Sequence, residues 1–395
     1  MTRVTQARWS VSAIFLVHGI IVANWLTRIP AVEYRFGLSM GALGGYLLCT
    51  ALGALCGMPV AARLVGRFGS SRIVRVSTLL FCLWLPAPGL VNRAWMLAPA
   101  LFVFGWAAAT MEVSMNTQAV LVERRLGRPV MTSFHALFSI GGMAGAAMGG
   151  FAASIGLTPA AHPALATLIL LAPCVLSVRI LESDEAREPS AQRLHWTRHA
   201  GALWALGVIA FCILIGEGAM ADWTAVYLSG IHGVTPGPAA AGYAVFSVCM
   251  AIGRLGGDRL RARFDEVTII RFGAGLASLG LGLGLAVGGL AGGLAGFACA
   301  GFGFSSIFPI LTMRSGQVPG ISPQVGIAAV TALGYSGFLA GPPLIGFAAQ
   351  LSSLRVGLGL IPLLSAVAVL LSGRLPGGRR VKEPLLAANA PGLLH

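Results

Sequence analysis

Residues 141–153 read GGMAGAAMGGFAA, and residues 337–349 read GFLAGPPLIGFAA. The two stretches lie 196 positions apart, about half of the 395-residue chain, and they align without a gap at two glycines and at the GFAA ending. Two further pairs have nearly the same separation: GY at 45–46 and 242–243, and HGIIVANW (18–25) and EGAMADW (217–223). A period this long predicts a chain built from two similar halves.

The composition places most of the chain in a membrane. Hydrophobic residues make up 56% of the chain and charged residues only 10%, with a mean hydropathy of +0.82. Soluble domains have about 45–50% hydrophobic residues and about 25% charged residues. Several intervals contain no Asp, Glu, Lys or Arg. Their lengths fit one or two helical spans, each of which needs roughly 20 apolar residues. They predict an all-α integral membrane protein with twelve transmembrane helices, near 9–29, 40–62, 73–92, 95–122, 131–155, 161–181, 200–229, 239–257, 267–287, 290–313, 324–350 and 354–373.

The predicted spans divide evenly around a polar segment, ESDEAREPSAQRLHWTRH. We expect a six-helix N-terminal half at 1–181, a cytoplasmic linker at 182–199, a six-helix C-terminal half at 200–374 and a cytoplasmic tail at 375–395. Because each half has an even number of spans, both halves insert with the same orientation, and the two are pseudo-symmetric.

The net charge of +14 follows the predicted topology. Of 27 Lys and Arg, 23 lie at one set of alternating loops and span ends, and only Arg28, Arg35, Arg93 and Arg355 lie at the other. This asymmetry predicts that both termini are cytoplasmic, and we expect a multi-pass protein of the cytoplasmic (inner) membrane. No basic face interleaved with aromatic residues is present, which argues against nucleic acid as a partner.

Two six-helix halves related by a parallel repeat resemble the major facilitator superfamily, whose halves rock about a site near the membrane midplane. ARLVGRFGSSR (62–72) is similar to that family's loop motif after the second span, with Gly66 where the family has an aspartate. The resemblance implies a gating role for Arg67, and for Arg254 with Asp258 in GRLGGDRLRARF of the second half. The alternative is that these arginines only set topology.

Three further stretches resemble the fucose-permease-like branch of this superfamily: MEVSMNTQAVLVERRLGRP (111–129), SFHALFSIGG (133–142) and EGAMADW. The resemblance implies proton-coupled uptake, with Glu112 at the position of a membrane-embedded carboxylate. GGMAGAAMGG in the fifth span is similar to an antiporter motif, with Ala146 in place of the usual proline. Close helix packing by small residues explains that motif equally well.

Three acids fall within predicted spans: Glu112, Glu217 and Asp222. Charges at this depth are costly and usually mark ion or proton paths. We therefore predict that Glu112 and Glu217 are proton-coupling groups. A structural role for Glu112, hydrogen-bonded to Asn116 or Gln118, remains the alternative.

Glu217 and Asp222 are five residues apart, about 140° around a helix, so we expect them to have different roles. We predict that Asp222 forms an outer-gate ion pair with Arg28. The alternative is an Asp222 that is merely hydrated at the membrane interface.

Several aromatic, amide and imidazole side chains in the spans could line a cavity for a sugar-like solute by stacking and hydrogen bonding. Packing or placement at the membrane interface is the alternative for each of them. These substrate-cavity candidates are His18, Asn24, Trp25, Asn116, Gln118, Trp223 and Tyr227.

These features predict a secondary active transporter that moves a small polar solute by alternating access, in symport with protons. A proton-coupled antiporter that exports a drug, amine or metabolite is the alternative. We expect a monomer in the lipid bilayer, with a small-molecule substrate and protons as partners and no cofactor or metal. No HExxH motif or nucleophile–base set supports an enzyme, and the short tails argue against a receptor.

Overall fold

The computed structural model describes residues 3–127, 130–181, 200–231, 235–319, 321 and 323–375, and within these ranges the regular structure is entirely helical. The predicted linker 182–199 and residues 376–395 of the predicted tail lie outside the described residues. The all-α prediction is confirmed for the part that is described.

The helices before the linker form what we name the first helix group. They are α1 (Arg3–Leu26), α2 (Ile29–Phe36), α3 (Met40–Phe68), α4 (Ser70–Trp84), α5 (Ala87–Leu90), α6 (Leu97–Leu126), α7 (Met131–Ser154) and α8 (Ala161–Ser177), with a 3₁₀ turn at Ala94–Met96.

The helices after the linker form the second helix group. They are α9 (Ala200–Ile231), α10 (Pro236–Ala239), α11 (Ala241–Arg263), α12 (Glu266–Val287), α13 (Gly289–Phe304), α14 (Ile307–Ser315), α15 (Pro323–Leu351), α16 (Leu354–Leu358) and α17 (Leu360–Ser372).

Eleven helical stretches among the described residues are long and apolar enough to cross a membrane. Some of them join two helices: α1 and α2, for example, form one stretch from Arg3 to Phe36. The sixth predicted span, 161–181, corresponds to α8, an apolar helix of 17 residues that is shorter than the other eleven.

Local sequence explains where several helices begin and end. Pro30 stands in the first turn of α2, where its missing N–H costs no hydrogen bond. Gly127 ends α6 in the left-handed conformation, with φ of 62°. The Asp265 carboxylate caps α12, and hydrogen bonds from the Thr268 hydroxyl and amide lower the pKa of Asp265.

The repeated glycines lie at equivalent contacts of the two helix groups. α1 packs against α7, and α9 packs against α15. A Cβ at Gly141 would lie within 3.0 Å of the Leu16 carbonyl oxygen, and a Cβ at Gly337 would lie 2.5 Å from the Phe211 carbonyl oxygen. Each glycine therefore lets two helix backbones touch, which explains why the repeat is most visible in these stretches.

The two helix groups meet along two further helix pairs, α3 with α15 and α7 with α11. A Cβ at Gly44 of α3 would lie 2.7 Å from the Pro342 carbonyl oxygen of α15, and a Cβ at Gly150 of α7 would lie 2.9 Å from the Gly237 carbonyl oxygen of α10, the short helix before α11. These close contacts join the groups toward the ends of the helices where Arg28, Arg35, Arg93 and Arg355 lie.

A matched pair of substitutions tests the backbone contact of α9 with α15. Gly337→Ala should lower the free energy of unfolding by about 1–3 kcal/mol, because the added methyl overpacks the contact with Phe211. Gly341→Ala, on the same helix, should cause no such loss, since the nearest atom to its Cβ is the Ile215 carbonyl oxygen at 3.7 Å. Unfolding of both variants in mixed micelles gives the comparison, and equal losses would contradict the packing described.

Candidate functional site: a charged cavity between the helix groups

A cavity of about 810 Å³ lies between the two helix groups. Its walls come from α1, α3, α6 and α7 on one side and from α9, α11, α14 and α15 on the other. Apolar side chains such as Leu47, Phe104 and Phe138 form much of this wall. Four carboxylates and two arginines also line the cavity: Glu112, Glu217, Asp222 and Arg254 in its interior, and Glu123 and Arg261 at one end.

The cavity extends toward one end of the bundle. We name as the basic end the one at which α3, α6, α11 and α14 finish, because Arg67, Arg124, Arg263 and Arg314 are near it. Cavity residues Glu123, Met131, Arg261 and Met313 lie close to this end. At the opposite end the helix groups are in contact, and there the Gly41 amide donates a hydrogen bond to Gln350 Oε1 at 3.3 Å.

Glu112 is linked to the other helix group by its carboxylate. The Tyr335 hydroxyl on α15 donates a hydrogen bond to Glu112 Oε1 at 3.0 Å. The amide of Asn116 donates instead to the Glu112 backbone oxygen at 2.9 Å, and that of Gln118 donates to Ser70 Oγ at 2.7 Å. The partner shown for the carboxylate is therefore a tyrosine from the opposite wall and not one of the amides expected from its own helix.

Glu217 faces Arg254 inside the cavity. Arg254 Nη2 lies 3.9 Å from Glu217 Oε2, and each side chain is only 15% exposed. Arg254 Nη1 also donates a hydrogen bond to Ser139 Oγ on α7 at 3.0 Å. The guanidinium thus contacts α9 of its own helix group and α7 of the other group at the same time.

The structure places Arg254, one of the three residues with a predicted gating role, inside α11 and not in the loop after it. Arg254 lies nine residues before the end of α11, or about 13 Å along the helix axis, so its side chain reaches the cavity wall. Arg67 lies in the last turn of α3, where it is exposed and its guanidinium carbon stacks 5.2 Å from the centre of the adjacent Phe68 ring. The Asp258 side chain, the third gating candidate, lies outside the described part of the structure.

The predicted ion pair between Arg28 and Asp222 is absent from this structure, although both residues are described. Arg28 lies in the turn between α1 and α2, where it is buried, and its Nε donates a hydrogen bond to His162 Nδ1 at 2.7 Å. The chain bend before Pro30 directs Arg28 toward the start of α8, within its own helix group. Asp222 lines the cavity.

Glu217 and Asp222, about 140° apart around α9, both line the cavity, and the prediction that they have different roles stays a prediction. α9 runs without a break from Ala200 to Ile231. Gly218 and Ala221 lie between the two acids on the same wall. The cavity is therefore wide enough to span the about 140° that separates them on the helix.

Of the seven predicted substrate-cavity residues, His18 and Trp25 line the cavity, and the other five do not. Asn24 is buried and its amide donates to the Ile20 carbonyl of its own helix at 2.8 Å. Asn116 and Gln118 make the hydrogen bonds given above. Trp223 and Tyr227 are buried on the other side of α9, where Tyr227 packs edge-on against Phe297 at 6.0 Å between centroids.

Sequence reasoning missed Tyr335, Ser139 and His162. Tyr335 lies in the eleventh predicted span, two residues before the repeated Gly337, and nothing in that stretch distinguishes it from a packing residue. His162 begins the sixth predicted span, and a histidine there would have been a reasonable partner for a buried arginine.

A double-mutant cycle tests the bond between Tyr335 and Glu112. Tyr335→Phe and Glu112→Ala should show a coupling free energy of about 1.5–3 kcal/mol in unfolding experiments, because the hydroxyl donates to a charged acceptor. The same cycle with Asn116→Ala and Tyr335→Phe is the control, and it should give almost none. Additive effects of Tyr335→Phe and Glu112→Ala would show that the two groups do not interact.

Arg28 gives a second stability prediction. His162→Leu should destabilise the protein by about 1.5–3 kcal/mol, since it removes the acceptor of a buried cation. Adding Arg28→Met should recover much of that loss, because it removes the unpaired charge as well. Unfolding in micelles measures both variants, and a double variant no more stable than His162→Leu alone would refute the pairing.

Comparison with known proteins places the chain among transporters. Residues 10–322 match the model of the Major Facilitator Superfamily. An uncharacterized MFS-type transporter of Yersinia pestis is 35% identical over 89% of this chain and 91% of its own length. The membrane protein MosC of Rhizobium meliloti is 32% identical over 87% of this chain and 83% of its own length.

Solved structures agree in fold. A bacterial homologue of the human lysosomal transporter Spinster, in an inward-facing and unoccupied conformation, has a TM-score of 0.71 at 15% identity, covering 95% of this chain and 97% of that one. A variant of the nucleoside transporter NupG has a TM-score of 0.69 at 12% identity over 95% of this chain and 99% of that one. At these identities the likeness concerns the fold alone. The chain belongs to the Major Facilitator Superfamily of membrane transporters.

Proposed function

We propose that the protein is a proton-coupled symporter that moves a small polar solute across the cytoplasmic membrane by alternating access. The observation that carries this proposal is the pair of polar contacts that cross the cavity. Tyr335 to Glu112 and Arg254 to Ser139 each join one helix group to the other. Glu112 accepts the first of these hydrogen bonds, and Glu217 lies beside Arg254, the donor of the second. The charge on each carboxylate can therefore influence how the two helix groups meet.

The proposal includes twelve spans in two six-helix halves, 1–181 and 200–374, joined by the linker 182–199 and followed by the tail 375–395. Matched helix pairs support it, since α1 with α7 resembles α9 with α15, and α3 with α15 resembles α11 with α7. The basic end faces the cytoplasm in this proposal, which makes the cavity inward-facing and places both termini inside.

Protonation would couple to movement through the two carboxylates. A proton on Glu217 removes the negative charge that attracts Arg254, and a proton on Glu112 removes the charged acceptor of Tyr335. The proton on Glu112 weakens a contact between the two helix groups, and the proton on Glu217 weakens the ion pair of Arg254, whose guanidinium contacts the other group through Ser139. A proton or a solute shifts the balance between two conformations only by binding one of them more tightly, and these contacts supply that difference.

Support for a sugar-like solute comes from the residues that line the cavity and from the resemblance to the fucose-permease-like branch. Trp25 offers an aromatic face, and His18 and Tyr335 offer hydrogen-bonding groups beside the carboxylates. Such a combination is suited to a small molecule with several hydroxyl groups.

An antiporter that exports a drug, amine or metabolite is the second candidate, and Asp222 is the observation that favours it. Three carboxylates, Glu112, Glu217 and Asp222, stand against one arginine, Arg254, in the interior of the cavity. Phe104, Phe138 and Phe338 supply aromatic surface next to them. An excess of negative charge beside aromatic rings would attract an organic cation.

Flux into proteoliposomes under an imposed pH gradient tests the proposal. Labelled hexoses and nucleosides serve as neutral probes, and a fluorescent organic amine serves as the cationic probe. Symport predicts that a neutral probe accumulates on the side toward which protons flow, and antiport predicts that the amine accumulates on the opposite side.

Glu112→Gln and Glu217→Gln should each abolish proton-driven accumulation, while counterflow of solute without a gradient should persist. Asp265→Asn is the matched control, because it neutralises an acid outside the cavity and an asparagine still caps α12. If both glutamine variants keep proton-driven flux, the assignment of the coupling groups is wrong.

A further inference from the structure

A second cavity, of about 560 Å³, lies at the basic end of the first helix group, apart from the cavity between the groups. It is formed where α1 and α4 begin and where the chain leaves α8. We name it the arginine pocket, and its lining residues are Arg3, Gln6, Ser71, Arg72, Arg75, Arg179, Ile180 and Leu181.

Among the residues that the structure describes, four guanidinium groups and no carboxylate line the arginine pocket. The ion pairs between described residues use Arg254, Arg261 and Arg314, so none of them neutralises this cluster. Four cations around one concave space repel one another, and an anion bound in that space would relieve the repulsion. The pocket is therefore suited to a ligand with more than one negative charge.

The cluster is held in place by the fold. Arg72 and Arg75 are three residues apart in the first turns of α4, so they lie on one face of that helix. Arg75 Nε donates a hydrogen bond to the Val178 carbonyl at 3.1 Å, which ties α4 to the end of α8. Ser71 stands in the first turn of α4, where backbone N–H groups of a helix also favour an anion.

An apolar surface continues from the arginine pocket along the outside of the bundle. Val76, Leu80 and Leu83 follow one another on a face of α4 and are 56%, 56% and 54% exposed. Ile169 and Leu176 of α8, which packs against α4, are exposed to a similar degree. A free phosphate would not contact this apolar surface, whereas the acyl chains of a lipid would cover it.

We propose that the arginine pocket binds the headgroup of an anionic phospholipid, with the acyl chains lying along the exposed faces of α4 and α8. Four arginines match best a headgroup with two phosphates, because each phosphate can then contact two guanidinium groups. Basic pockets between transmembrane helices on the cytoplasmic side are typical sites for such headgroups. The site does not involve the transport cavity, and it stands whether the protein is a symporter or an antiporter.

Native mass spectrometry of the purified full-length protein during titration with cardiolipin tests the proposal. Phosphatidylcholine and inorganic phosphate are titrated separately as probes of the acyl chains and of the free anion. We expect one saturable cardiolipin site, with an affinity that falls about tenfold or more in Arg72→Gln/Arg75→Gln and falls also in Arg179→Gln, which lies on a different element.

Arg63→Gln/Arg259→Gln is the matched control, since it removes two exposed arginines of the basic end that lie outside the pocket. It should leave cardiolipin affinity within about twofold, because charge at a distance is screened. Equal losses in this control and in Arg72→Gln/Arg75→Gln would overturn the proposal, and so would inorganic phosphate that competes as well as the lipid.

The last part of the test concerns the acids that follow the arginine pocket in sequence. Glu182, Asp184 and Glu185 come directly after Leu181. Neutralising all three should leave cardiolipin affinity within about twofold if the lipid occupies the pocket. A rise of about tenfold would mean that the linker acids compete for the arginines, and the linker would replace the lipid as the occupant.

Discussion

Removing charged side chains from water is the constraint on which this structure depends. A charge in the apolar interior persists only where a polar partner or a wet cavity replaces the lost hydration. Glu112 and Arg254 meet this requirement with partners across the cavity, Glu217 meets it with Arg254 on the same wall, and Arg28 meets it with His162. The positions of these charges therefore decide which helix faces turn inward.

The glycine contacts make the cavity possible. α1 with α7 and α9 with α15 are joined where glycine allows two backbones to touch, so each helix group is compact beside the cavity. The polar contacts between the groups are few by comparison. A movement that separates Tyr335 from Glu112 and Arg254 from Ser139 breaks two hydrogen bonds and leaves the packing within each group intact. This difference favours motion of whole groups over deformation of single helices.

Much of the fold could be predicted from the sequence. Charge-free intervals predicted the eleven long apolar helices found among the described residues, and the repeat of Gly141 and Gly337 predicted equivalent helix contacts. The acids in the spans predicted an internal cavity, because a carboxylate in an apolar helix needs a polar partner or water around it. His18 and Trp25 were placed on its wall for similar reasons of polarity and repeat position.

The partners of these groups could not be predicted. The sequence does not give the rotation of a helix about its own axis, because tertiary packing sets that rotation. In the structure Trp223 and Tyr227 face the interior of their own helix group and not the cavity. Tyr335 and Ser139 lie far in sequence from the groups they contact, and neither is distinctive. Arg28 lies at the outer end of the first predicted span, which suggested an outer-gate role, but in the structure it donates a hydrogen bond to His162.

The central claim is that Glu112 exchanges a proton inside a cavity shared by two moving helix groups. Infrared difference spectroscopy of the reconstituted protein during a pH titration measures this directly, because a protonated carboxyl group has its own C=O stretching band. We predict a band that appears as the pH falls and that loses one component in Glu112→Gln, while Asp265→Asn keeps that component. A band with every component unchanged in Glu112→Gln would contradict the claim.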